Sequence, residues 1–159
     1  MNKKLLIAVS LAALGLTGTA FGASSASHDV TVTVSAINEV AISGGNLTLT
    51  ISAATAGSDP DPATDSTTCD LSWTTNESTK KITVAAGAAI SGATLKVTAA
   101  NVSGGTAAGQ VTLSTTAQDF VTGISTTTGT CDLSYEASAT AADGTSSNTH
   151  TITYTITAA

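Results

Sequence analysis

Hydrophobic and polar residues alternate along most of this chain. Val30, Val32 and Val34 are interleaved with Thr31, Thr33 and Ser35. A two-residue period puts one set of side chains on each face of a pleated strand. The chain closes on the same formula, with Ile152, Tyr154 and Ile156 interleaved with Thr153 and Thr155. Both stretches open on a histidine, His28 and His150. Between them the alternation recurs in Leu47, Leu49 and Ile51, in Cys69, Leu71 and Trp73, and in Ile82 and Val84. It returns in Leu95 and Val97, in Val111 and Leu113, and in the longer run from Cys131 through Leu133 and Tyr135 to Ala137 and Ala139.

Thr, Val and Ile favour half-buried pleated backbone, and no stretch beyond the first two dozen residues shows a helical stripe. The pattern predicts a strand over residues 28–35, continued after a kink by 37–42, and another over 47–52. The two prolines at 60 and 62 remove ladder donors and fix φ, so 53–66 is expected to be a loop. Residues 118–124 mix polar and apolar positions without clear alternation and suggest a turn of helix or a wide corner. Gly-rich turns separate eight or nine short strands in all. The expected fold is all-β, an antiparallel two-sheet sandwich of jelly-roll or Greek-key type. An immunoglobulin-like sandwich is the nearest rival, but its Cys-to-Trp spacing does not fit.

The first residues change the setting. Lys3 and Lys4 precede an apolar run at 5–16, and Ala20-Phe21-Gly22 supplies small residues for cleavage after Gly22. That is the form of a secretory signal peptide, and the run is short for a membrane span. The expected organisation is a signal at 1–22, a leader with a candidate strand at 23–35, and a sandwich at 36–159. No second long apolar run follows, so no membrane insertion of the mature chain is expected.

Beyond the signal, Lys80, Lys81 and Lys96 are the only bases against eleven acidic residues, a net charge of −8, and there is no Arg. Nucleic acid and anionic membrane surfaces are poor partners for such a chain. The polar faces are Thr, Ser, Asn and Gly instead.

Two stretches repeat, Thr68-Cys69-Asp70-Leu71-Ser72-Trp73 and Thr130-Cys131-Asp132-Leu133-Ser134-Tyr135. An isolated pair of cysteines in an exported chain is expected to form a disulfide, Cys69 to Cys131. The other reading is two buried thiols on different strands, since bridging needs Cα atoms within about 7 Å. Asp59, Asp61 and Asp65 share one loop and are weak candidates for Ca²⁺. Ala63 and Thr64 stand where an EF-hand loop needs a ligand and a Gly, which favours a solvated acidic turn. His28 and His150 lack a third partner for zinc. No nucleophile elbow, zinc-protease motif or phosphate-binding loop occurs. The expectation is a protein with no catalytic residues and no cofactor.

Two functions compete. In the first, Val30, Val32 and Val34 form a strand donated to another copy, giving a homopolymer. In this arrangement the chain resembles the secreted jelly-roll subunits of donor-strand-exchanged extracellular fibres, the TasA-like and bundling-pilus group. That resemblance implies a subunit of an extracellular filament or pilus at the cell surface, of the kind that serves biofilm and adhesion. Burying three valines contributes about 5–9 kcal/mol, and six ladder hydrogen bonds about 1 kcal/mol each. Ordering eight residues costs about 8–16 kcal/mol, so a stable fibre needs further contacts. In the second reading the protein is a monomeric secreted binding or adhesion module. Its first strand would then pair within its own sheet, and a sugar-binding face would need exposed aromatics.

Overall fold

The computed structural model describes residues 24–159; the signal segment through Gly22 lies outside the described residues. Val34–Ala159 forms one compact unit. Its strands are β1 (Asn38–Ser43), β2 (Ala63–Asp65), β3 (Asp70–Thr75), β4 (Lys80–Ala86), β5 (Thr94–Ser103), β6 (Thr106–Ala107), β7 (Gln110–Thr112), β8 (Gln118–Ile124), β9 (Thr127–Ser138) and β10 (Ile152–Ala158). One sheet runs β1-β3-β9-β5-β7, with β2 also paired to β9; the other runs β10-β4-β8-β6. Every pairing is antiparallel. From β3 onward each successive strand lies in the opposite sheet. The all-β two-sheet sandwich is therefore the fold.

Alternation builds the core. β9, the longest strand, buries Cys131, Leu133, Tyr135 and Ala137 on one face and leaves Asp132, Ser134 and Glu136 half-covered on the other. Leu71, Trp73 and Val97 join them from β3 and β5, and Ile82, Val84, Phe120, Val121, Ile124 and Tyr154 face them from the second sheet. The two sheets are tied by a hydroxyl pair, with Tyr135 and Tyr154 oxygens 2.9 Å apart. The Tyr154 ring lies 5.1 Å from Phe120, tilted by 57°. The Trp73 ring lies over Gly129, its cross-strand partner, where a Cβ would collide with the indole and with the Ser103 carbonyl.

Five expectations are corrected. Residues 28–35 carry no ladder and are not a strand within this sheet system. Residues 47–52 keep their alternation and pack Leu47 and Leu49 on the core, but they too lack a ladder. Residues 118–124 are strand β8 and not a helical turn or corner. Its pairing with β4 slips between Lys80 and Thr83, a bulge that places Phe120 and Val121 both inside and blurs the alternation. The short strand β2 sits inside the stretch expected to be loop.

The fifth correction concerns the cysteines. Cys69 and Cys131 are both buried but free, and no disulfide joins them. The two repeats lie on neighbouring antiparallel strands and pair with each other about Asp70 and Asp132, which face one another directly. Leu71 opposes Cys131, and the Leu133 amide donates to the Cys69 carbonyl at 2.9 Å. Each cysteine thus faces the other repeat's leucine, and the sulfurs sit on a diagonal. A diagonal separates Cα atoms by about 7–8 Å, whereas a disulfide needs Cβ atoms about 3.5–4.5 Å apart.

Candidate functional site

Asn76 sets where the sandwich begins. Its side-chain amide donates to the Ser35 carbonyl at 2.7 Å, and its side-chain oxygen accepts the Ile37 amide at 2.7 Å. Its own amide donates to the Ile37 carbonyl at 3.2 Å. One polar side chain therefore takes the place of a ladder partner just ahead of β1. Nothing in the alternation of residues 28–42 points to this clamp, since its partner lies some forty residues on. Asn38 then bonds Glu77, whose carboxylate also meets Lys80 at 2.9 Å. The Asn38 amide, followed by Lys80, holds the Glu77 carboxyl below its ordinary range.

Before the clamp, Val30, Val32 and Val34 are 72%, 81% and 75% exposed. Three aliphatic side chains in register with one another face water, and no backbone ladder runs through them. Single exposed valines are ordinary, but a strand-length apolar stripe is not.

β1 and β10 are the longest strands with a free edge, one in each sheet. Cross-strand pairing fixes their faces. Val40 and Ile42 lie opposite the buried Trp73 and Leu71, so they point inward. Ile152, Tyr154 and Ile156 lie opposite Ala86, Val84 and Ile82 and point inward too. Yet Ile42 is 48% exposed, and Val40, Ile152 and Ile156 are only half-buried. Between the two edges is a cleft of about 270 Å³ lined by Val40, Ala41, Ile42, Ile152, Thr153 and Tyr154. On this side the inward side chains of the two edge strands are only partly covered, while Leu71, Trp73 and Tyr154 are buried.

The remaining sequence candidates are not brought together. Asp65 accepts hydrogen bonds from the Thr67 amide at 3.2 Å and from the Thr68 amide and hydroxyl at 3.0 and 2.7 Å. The Thr68 bonds lower its pKa. Asp59 accepts the Ala141 amide at 3.0 Å, and Asp61 is exposed. Among the described residues no three His, Cys, Asp or Glu side chains group as a metal would require. His28 is exposed and His150 is half-buried just ahead of β10. Burial, then Asp65 and Asp70, push the Cys69 thiol up, and burial, then Asp132 and Asp70, push Cys131 up to about 11. Both are protonated, buried thiols and weak nucleophiles. Trp73, Phe120, Tyr135 and Tyr154 are all buried, so the described surface carries no aromatic platform. No described helix is long and apolar enough to cross a membrane. No protein-family model matches this chain, and neither does any curated protein.

Proposed function

We propose that this protein is a structural subunit of an extracellular filament or pilus that polymerises by donating its N-terminal strand to a neighbouring copy. The exposed stripe of Val30, Val32 and Val34 carries the reading. Its alternation suits a half-buried strand, and its exposure leaves that apolar face unused within one chain. The partly covered edge residues and the cleft between β1 and β10 support it from the receiving end. Charged residues are only 10% of the chain, so most of its polar surface is uncharged Thr, Ser and Asn. The net charge of −8 opposes stacking, and assembly should be favoured by added salt. A secreted carbohydrate-binding module is the weaker reading, because the sequence required exposed aromatics for it and all four described aromatics are inside.

The test is polymer formation by the protein with residues 1–22 removed. Electron microscopy of concentrated protein should show fibres for the wild type and none for Val32→Asp, because an unpaired carboxylate in an apolar groove is costly. A free peptide of residues 24–35 should shorten fibres by capping their ends. A wild-type protein that stays monomeric at high concentration, with and without seeds, would sink the proposal.

A further inference from the structure

We infer that the acceptor is the free edge of β10, so that residues 28–35 of a second copy become the fifth strand of the β10-β4-β8-β6 sheet. This rests on the donated-strand reading and says where that strand goes.

The exposed strands at the other ends of the sheets are too short to take it. β6 has two residues and β7 three, while the valine stripe needs a ladder of at least five. β1 and β10 are long enough, with six and seven residues. Their inward faces differ. β1 offers Val40 and Ile42, but its third inward position is Asn38, already bonded to Glu77 and to the Thr75 hydroxyl at 2.8 Å. β10 offers three apolar positions, Ile152, Tyr154 and Ile156, at the same spacing as Val30, Val32 and Val34. Laid beside β10, the three valines would cover the half-buried Ile152 and Ile156 and close the cleft beneath Val40 and Ile42.

The outward faces differ as well. Thr153, Thr155 and Thr157 alternate on β10, matching Thr31, Thr33 and Ser35 on the incoming strand, and hydroxyl pairs across strands are favourable. β1 turns Glu39 outward, and an incoming strand carries Asp29. No charged residue lies on β10. The incoming strand thus meets matched partners on both faces of β10 and a polar residue plus a like charge on β1.

The experiment uses the chain from residue 23 onward carrying Val32→Asp, which removes its own donor face while leaving the acceptor intact. Thr155→Cys or Ala41→Cys adds an outward thiol to β10 or β1; both sites are exposed, and the native thiols are buried. The probes are two peptides of residues 24–35, one with Thr33→Cys and one with Thr31→Cys, which oppose position 155 in a parallel and an antiparallel ladder respectively. Under mild oxidation one of the two should form the mixed disulfide with Thr155→Cys at least tenfold faster than either does with Ala41→Cys, and peptides also carrying Val32→Asp should join neither. Hydrogen exchange on the chain without added cysteines gives a second readout: unlabelled peptide should slow the β10 edge amides at least tenfold and leave those of β1 unchanged. Preferential joining at Ala41→Cys, or protection confined to β1, overturns the β10 assignment and leaves the filament proposal standing. Peptide that joins neither edge while the wild type still forms fibres overturns it too. If the peptide joins neither and the wild type stays monomeric, the filament proposal falls with it.

Discussion

Residues 30–34 and 152–156 carry the same alternation of aliphatic or aromatic and hydroxyl side chains, yet Val32 is 81% exposed and Tyr154, its counterpart in phase, is buried. The later stretch pairs with β4 along its whole length, and its central side chain is locked by the Tyr135 hydroxyl and the Phe120 ring. The earlier stretch has the same strand-forming pattern and no ladder. Period two makes a segment compatible with a sheet. A partner edge with unpaired backbone groups makes it a strand.

The comparison can be broken most sharply by substituting the two central residues. Tyr154→Ala should destabilise the monomer by about 3–5 kcal/mol, through the cavity and the stranded Tyr135 hydroxyl. Val32→Ala should move the denaturation midpoint by no more than about 0.5 kcal/mol equivalent. Urea unfolding of both variants, followed by tryptophan fluorescence from Trp73, measures the pair. Equal losses would mean that the first stretch is seated after all.

A second experiment probes what burial does around the seated strand. Burial, followed by the Tyr135 neighbour, drives the Tyr154 hydroxyl well above its usual range, and Cys131 stands at about 11 instead of 9.0. An unfolded thiol loses its proton near pH 9, while the folded one keeps it until about 11. Stability is thus complete below pH 9 and drains as pH rises through 11, by about 2 kcal/mol from this thiol. Denaturation midpoints measured from pH 8 to 11 should fall accordingly, and Cys131→Ala should flatten part of the slope. A flat wild-type profile would contradict the buried-thiol geometry.

The smallest effect belongs to the chain's other pair of look-alikes. The repeats at 68–73 and 130–135 pair with each other about their centres, while Trp73 and Tyr135 meet different neighbours, and the pairing comes at the cost of setting Asp70 against Asp132. Asn101 donates to Asp132 at 2.6 Å, which relieves part of this. Asp70→Thr should stabilise the fold by about 0.2–1 kcal/mol at neutral pH, less in high salt. A thermal melt at two salt concentrations reads it, and a loss of stability would show that the facing carboxylates are not in conflict.

Local alternation alone was enough for the all-β fold class and for the inward residues of the paired strands. Trp73, Tyr135, Tyr154, Cys69 and Cys131 all face inward as their phase required, because burial in a sheet follows local alternation. It misjudged β8, where a bulge with φ +65° at Gly123 breaks the two-residue period. Strand pairing was beyond its reach. The twin cysteines suggested a bridge, and only the antiparallel self-pairing of the repeats, which sets each Cys opposite a Leu, decides against it. The Asn76 clamp, the free edge of β10 and the exposure of Val30, Val32 and Val34 were equally hidden. Alternation is written within five to ten residues of one segment. Ladders and edges depend on which distant segments meet, and that is set by the packing of the whole chain.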